Sequence, residues 1–240
     1  LDEPLLAPLA RRWERRVPLS NAEREALVAL PATRKSFAKD AYVVHEGEMT
    51  SSCALLLKGF AYRQKFVGEG ARQIISLHIP GEFVDLQNCL LPVADHNVQS
   101  LDQTDFAFVP KAALLELTAR FPNLGKAMWL DTLIDASIFR EWVVNVGRRD
   151  ARTRLAHLFC ELALRLEASG AVRDGVYHFP LTQEQLADAT GLTAVHTNRT
   201  LQALRKEGLI NLAHSALIVL DWERLRDVGD FSERYLHHMG

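Results

Sequence analysis

The run Leu181-Thr-Gln-Glu-Gln-Leu-Ala-Asp-Ala-Thr-Gly-Leu-Thr-Ala-Val-His-Thr-Asn-Arg199 gathers a guanidinium, an amide, an imidazole and two capping hydroxyls within one short stretch. Thr182 stands three residues before Gln185, the interval of a capping box that opens a helix. Leu186 and Ala187 face inward on that helix, Gly191 supplies a tight turn, and Leu192 plugs the space before a second helix. Thr193 can cap the second helix, Ala194 to Glu207, whose Leu201 and Leu204 point to a core. The outward residues are then Ala194, Val195, His196, Asn198 and Arg199. Arg199 has the fork geometry that pairs twice with guanine in the major groove, a contact worth about 1–3 kcal/mol of discrimination. Asn198 suits adenine or a phosphate, His196 a base edge or a phosphate, and Ala194 and Val195 a thymine methyl. Thr182 and Thr193, each at a helix N-terminus, suit phosphate oxygens. These groups point to a reader of double-stranded DNA.

Other chemistries find no constellation. The chain has no HExxH, no GxSxG and no P-loop. His45 and Glu46 are neighbours, and neighbours in a strand point to opposite faces. An enzyme is therefore not expected. Cys53, Cys89 and Cys160 are odd in number and far apart, with no CxxC among them, which argues against a zinc ribbon or a thioredoxin-type pair. Three cysteines cannot supply a four-cysteine iron–sulfur cluster within one chain. They read as small apolar fillers in a protein of a reducing cytoplasm.

The elements that must hold these groups follow from pattern. Residues 22–30 have helical spacing, ended by Pro31. From Phe37 to Val109 short apolar stretches recur, at Tyr42-Val43-Val44, Ala54–Leu57, Ile74–Leu77 and Phe106–Val109, punctuated by Gly47, Gly59, Gly68, Gly70 and Gly81. That spacing predicts a β sandwich, roll or barrel. Lys111 to Arg120 reads as a helix broken at Phe121-Pro122, and Leu124 to Val146 as a long one, on the order of 35 Å. Leu130, Ile134, Ile138, Trp142 and Val146 form one i, i+4 stripe on it. Met128, Leu133, Ala136, Phe139 and Val143 form a second apolar face, so the helix needs cover on two sides. Its own β domain is one cover and a second copy of the same helix is the other, which marks Met128, Leu130, Ile134, Ile138 and Trp142 as candidate dimer-helix residues. Gly147 is expected to stop this helix and Asp150 to cap the next, making the pair a candidate hinge. A helix from Ala151 to about Ala168, a strand at Val176–Phe179, the helix pair above, a Gly208 stop and two strands around His214-Ser215 complete a winged helix-turn-helix.

The fold class expected is α+β: an N-terminal β-roll of the jelly-roll type with helices at residues 1–120, a dimerisation helix and hinge at 121–150, and a winged helix-turn-helix at 151–240. The 48% hydrophobic content of the 240 residues suffices for real cores, and no apolar stretch approaches the roughly 18 residues of a membrane span. No membrane partner is expected, and the residues before Arg16 lack the order of a secretory signal. The net charge of −2 is an objection to DNA binding unless positive charge is concentrated locally. Arg140, Arg148, Arg149, Arg152 and Arg154 form one cluster, and Arg199, Arg205 and Lys206 another.

Over nearly its whole length the chain resembles the Crp/Fnr family. The helix-turn-helix run matches, and upstream Gly47-Glu48, Leu55-Leu56-Leu57-Lys58-Gly59 and Pro80-Gly81-Glu82-Phe83 fall in the family's order. The resemblance implies a homodimer on a palindromic operator, its recognition helices one DNA turn apart, about 34 Å, and contact with RNA polymerase. It places the family's base-reading arginine at Arg199 and its other two base-reading positions at Val195 and Asn198. Val195 departs from the acidic residue common there. The sensor departs further. Leu86 stands where cyclic-AMP binders carry a ribose-binding Glu, and His96-Asn97 where they carry the phosphate-gripping Arg-Ser. Phe139 and Arg140 replace the hydroxyl residues that read adenine. Without a fixed cation a buried cyclic phosphate lacks its main partner, so cyclic AMP is not expected. A possible effector pocket comprises Asp85, Leu86, His96, Asn97, Asp135 and Phe139. No cofactor is expected, although His45, His78 and His96 leave an axial haem ligand open. The input is a small ligand of unknown identity or none.

Overall fold

The computed structural model describes residues 3–68, 70–170, 172, 175–213 and 215–237. Two compact units divide the chain: one holds the residues up to Gln64 together with Leu77–Ala136, the other Lys65–Ser76 and the chain from Ser137 on. In chain order the elements are α1 (Ala7–Glu14), α2 (Asn21–Val28), β1 (Thr33–Phe37), β2 (Tyr42–Val44), β3 (Ser52–Lys58), β4 (Ala61–Val67), β5 (Ala71–His78), a 3-10 turn (Leu86–Cys89), β6 (Asn97–Ser100), β7 (Thr104–Pro110), α3 (Lys111–Arg120) and α4 (Pro122–Arg148). There follow α5 (Ala151–Ser169), β8 (Val176–His178), α6 (Gln183–Thr190), α7 (Ala194–Lys206), β9 (Ile210–Ala213), β10 (Ala216–Val219) and α8 (Trp222–Val228).

In the three-stranded sheet β7 runs antiparallel between β1 and β3; in the four-stranded sheet β6 runs antiparallel between β2 and β4, with β5 beyond β4. Period-2 alternation along β3 and β7 explains how two cores form. Ala54, Leu56 and Phe106 point one way, into a core with Val44, Ala61 and Val98 from the other sheet and Val84 from the segment before the 3-10 turn. Cys53, Leu55, Ala107 and Val109 point the other way, onto Leu9, Trp13, Leu27, Leu114 and Leu124 of the helices. The expected strands at 42–44, 54–57, 74–77 and 106–109 all lie within observed ones. The strands β1 and β6 carry one apolar residue each, and the apolar residues of β4 are split by Arg63-Gln64-Lys65; these strands were not foreseen, nor was α1. Gly59 has φ +83, and a Cβ there would lie 2.6 Å from Asp102 Oδ1 and Gln103 O, so the β3–β4 turn needs glycine.

Helix α4 differs from expectation in three ways. It starts at Pro122, where the proline is tolerated because the first-turn N–H has no helical partner. It runs through Gly147 to Arg148 rather than stopping at Gly147, because one glycine costs a helix only about 1 kcal/mol. The third difference concerns its faces. Ile134, Ile138 and Trp142, expected to meet a second copy, are covered by their own chain, at 6%, 8% and 7% exposure. Met128 and Leu130 pack against the helical core of the first unit. The uncovered large apolar residues are Trp129, Leu133, Val143 and Val144, at 66%, 50%, 66% and 44% exposure. At 100° per residue they lie on one face with Ala136 and Gly147, opposite the expected stripe.

In the second unit α5 is the central helix, with Leu155, Leu158, Phe159, Leu162 and Leu166 buried. Phe159 meets Phe179 edge-on at 5.4 Å. The sheet order is β8-β10-β9, all antiparallel. This is the wing expected around His214-Ser215; His214 lies outside the described residues, and Ser215 takes φ +58 in the β9–β10 turn.

Candidate nucleic-acid interface

The helix pair is built as its residues dictate. Thr182 Oγ1 accepts from Gln185 N at 3.2 Å while Gln185 Oε1 accepts from Thr182 N at 2.9 Å, the reciprocal capping box that starts α6. Gly191 ends it at φ +64, the left-handed conformation that glycine adopts without steric cost. Thr193 Oγ1 accepts from His196 N at 3.2 Å and starts α7. Leu186, Ala187, Leu201 and Leu204 are buried, and Leu192 is half-buried between the helices. Both threonine oxygens are used as acceptors, and each hydroxyl keeps its own proton to donate.

The outward face follows the expectation. Thr182, Thr193, Ala194, Val195, His196 and Arg199 are exposed, Val195 at 70%. Thr197 and Thr200, between them, are buried. Among the described residues nothing hydrogen-bonds to the Arg199 guanidinium, which leaves its whole fork to a ligand. Asn198 differs. Its Nδ2 donates to Gln183 Oε1 at 2.7 Å, and its Oδ1 accepts from Gln202 Nε2 at 2.9 Å. The result is an amide chain across α6 and α7 in which Asn198 is the centre and Gln183 and Gln202 the ends. The Asn198–Gln202 spacing of four was legible in the sequence; the reach to Gln183 depends on how the helices cross.

Three of the five mid-chain arginines have other tasks, while Arg140 and Arg148 are exposed. Arg149 pairs with Glu141 at 2.7 Å and Asp230 at 3.3 Å, and Arg152 pairs with Glu207. Arg154 donates to Arg149 O and Thr190 O, each at 2.8 Å, and Asn145 donates to Arg154 O at 3.3 Å. Asp150 caps α5 by accepting from Thr153 N at 2.8 Å. The corner at Gly147 and Asp150, expected as a hinge, is thus stitched to α6 inside one compact unit. Arg72 and Gln73, at the β4–β5 tip that belongs to this unit, hold Asp188 on α6 through its carboxylate and its carbonyl, each at 2.6 Å.

The expected effector residues are dispersed in role. Asp85 is buried; its Oδ1 accepts from Ala54 N at 2.7 Å, and burial pushes its pKa up to about 7 against the pull of that bond and of Arg63. Leu86 is buried in the helical core. His96 is buried with Nδ1 2.6 Å from Asp95, and burial lowers its pKa. Asn97 Oδ1 accepts from Glu46 N at 3.0 Å. Asp135 pairs with Arg63 at 2.5 Å; burial works to raise its pKa, but the charge of Arg63 prevails and lowers it. Phe139, half-buried on α4, belongs to the other unit. Arg63 itself was missed. It sits at 4% exposure on β4 and also donates to Val84 O at 2.8 Å. A fixed buried cation therefore exists, but Asp135 already neutralises it. Of the histidines open to haem, His45 is exposed and stacked on Tyr42 at 4.7 Å. His78 is buried 3.5 Å from Glu82, with its pKa lowered to about 4 by burial and then by Arg63. Among the described residues no group of three His, Cys, Asp or Glu could hold a metal ion, and no helix is long and apolar enough to cross a membrane.

Comparison with known proteins agrees with this geometry. Residues 153–228 match the Crp-like helix-turn-helix domain, and residues 34–121 the cyclic nucleotide-binding domain. The transcriptional activator protein FnrL of Cereibacter sphaeroides is 26% identical over 226 residues, covering 91% of this chain and 90% of its own. The nitrogen fixation regulation protein FixK of Bradyrhizobium diazoefficiens is 26% identical over 197 residues, 80% of each chain. The structure of FixK2 from Bradyrhizobium japonicum superposes with a TM-score of 0.77 at 22% identity, over 85% of this chain and 100% of that one. With both domain models matched in order and relatives aligned over most of their length, the chain belongs to the Crp/Fnr family of DNA-binding transcription regulators, which are not enzymes.

Proposed function

We propose that the chain acts in the cytoplasm as a homodimer that binds a palindromic operator, and that it controls transcription through contact between its β-roll or wing and RNA polymerase. The observation that carries this reading is the outward face of α7. Arg199 and Val195 are exposed on a helix whose opposite side is locked into the core. The uncovered Trp129, Leu133, Val143 and Val144 on α4 support pairing with a second copy, since coverage would remove four large apolar groups from water. The relatives named as activators favour activation. The sensor takes no cyclic AMP, because Arg63 is spent on Asp135 and no second buried arginine stands at His96-Asn97. Its input is a small ligand other than cyclic AMP, or none.

The alternative is a ligand-binding β-roll module without specific DNA binding. Titration of the purified chain with duplex DNA at several salt concentrations separates the two. A regulator that neutralises phosphates loses affinity steeply with salt, with a log–log slope of about −0.9 per phosphate contact. Weak binding that does not change with salt contradicts the proposal.

A further inference from the structure

The least expected contact in the first unit is between two thiols. Cys53 Sγ on β3 lies 3.3 Å from Cys89 Sγ at the end of the 3-10 turn, although the residues are 36 apart in sequence. Cys53 is wholly buried, and Cys89 is 9% exposed. Beyond Cys89 the chain reaches the surface at once, with Leu90 at 77% and Leu91 at 46% exposure. The pair is therefore asymmetric: Cys89 adjoins the exposed Leu90 in the chain, whereas Cys53 has no exposure. Sequence separation concealed this, and both cysteines read as fillers.

We infer that Cys53 and Cys89 are a peroxide-reactive pair that closes into a reversible intramolecular disulfide, bolting the 85–89 turn to β3. The Cys89 thiolate attacks one oxygen of a hydroperoxide, the O–O bond breaks, and the departing oxygen takes a proton to leave as an alcohol or water. Cys89 is then a sulfenic acid. Cys53 loses its proton and attacks that sulfur; the S–O bond breaks and hydroxide leaves with the Cys53 proton as water. Two thiols and one hydroperoxide become one disulfide, one alcohol or water, and one water. The hydrogen bond between the sulfurs favours this order of events. It lowers the Cys89 pKa, because the Cys53 thiol donates to the thiolate, and it raises that of Cys53. Cys160, buried on α5 in the second unit, has no such neighbour among the described residues and stays reduced.

The bolted turn carries Asp85, which already holds Ala54 N, and Leu86. Oxidation therefore acts on the sensor segment itself. The thiol chemistry stands apart from the proposed DNA reading, whereas any change in DNA affinity on oxidation rests on it.

The test uses the native full-length chain and hydrogen peroxide at low molar excess, followed by alkylation and non-reducing tryptic mass spectrometry. The expected product joins peptides 40–58 and 73–111, lighter than their sum by two hydrogens and separated by dithiothreitol. Free thiols in the unfolded protein fall from three to one. In Cys53→Ala the Cys89 sulfenic acid persists and is trapped by dimedone, and in Cys89→Ala the Cys53 thiol survives the same dose. The proposal is overturned if wild type keeps both thiols, over-oxidises Cys89 without a cross-link, or cross-links only between chains. Because the wild-type product is read directly, a variant that fails to fold does not decide the matter.

Discussion

Val195 carries the most specific consequence at the scale of single residues. It is an apolar branched side chain, 70% exposed, on the first turn of α7, where an acidic residue would accept from a cytosine amine. A methyl contact is what it can offer. Replacing the contacted thymine by uracil removes one methyl, worth about 0.8 kcal/mol or roughly a fourfold loss of affinity. Equal affinity for the two duplexes, measured by fluorescence anisotropy, rules that contact out. Asp85 gives a second prediction. Its folded pKa of about 7 lies above the ordinary 3.8, so the folded state holds a proton that the unfolded chain has released. That stability is full below pH 3.8 and is lost as pH rises through 7, by up to about 1.4 kcal/mol per pH unit. His78, lowered to about 4, acts with the opposite sign between pH 4 and 6.5, so the window just above 6.5 belongs to Asp85. Asp85→Asn flattens the fall in urea-unfolding stability between pH 6.5 and 7.5; an unchanged slope contradicts the assignment. The outward placement of the α7 residues was legible because that helix has one periodicity and unambiguous caps. Arg63, Gln183 and the thiol pair were not, since each gains its meaning from a partner distant in sequence.

Among the elements, α4 shows where periodicity stops being informative. Both of its apolar faces were legible, but not which one the chain would cover. The i, i+4 stripe through Ile134, Ile138 and Trp142 is the inner face, fixed by contacts such as Trp142 Nε1 donating to the buried Glu161 at 3.1 Å. The two substitutions Leu133→Asp and Ile134→Ala therefore separate. Leu133→Asp places a charge on the uncovered face; it leaves folding intact and weakens self-association by about 3 kcal/mol or more, because a symmetric interface buries the change twice. Ile134→Ala opens the interior and lowers unfolding stability by about 2–4 kcal/mol while the sedimentation coefficient still reports a dimer. The reverse pattern would show that the covered face, not the open one, carries the dimer. The strands β4 and β6 were illegible for a related reason, whereas β1 is exposed along nearly its whole length and buries little of either kind. Strand β4 turns polar residues inward, and the Tyr62 hydroxyl and Gln64 amide find a shared acceptor only in Gln99 Oε1 on β6, at 2.5 and 2.9 Å. Turn glycines and apolar runs mark strands that bury hydrocarbon, whereas strands that bury hydrogen-bond networks have no such signature.

For the whole molecule the net charge of −2 was the main objection to DNA binding, and the structure sharpens it. Arg149, Arg152 and Arg154 are engaged in holding the corner between α4 and α5, so the positive charge left for the proposed interface is that of α7 and the helix N-termini, with the exposed Arg148 beside the corner. For the proposed dimer, affinity then depends on two copies binding at once, and the two half-sites must lie on one face of the duplex. Adding about half a helical turn between them should abolish tight binding, and adding a full turn should restore it at most in part. The most direct test of the central claim is selection from a random pool of palindromic duplexes by the purified chain, with Arg199→Ala in parallel. The account predicts that the wild type enriches one palindrome with half-sites about 34 Å apart, and that the variant still binds DNA weakly but enriches none. Enrichment of the same palindrome by both proteins, or of none by the wild type under reducing and oxidising conditions alike, would contradict it.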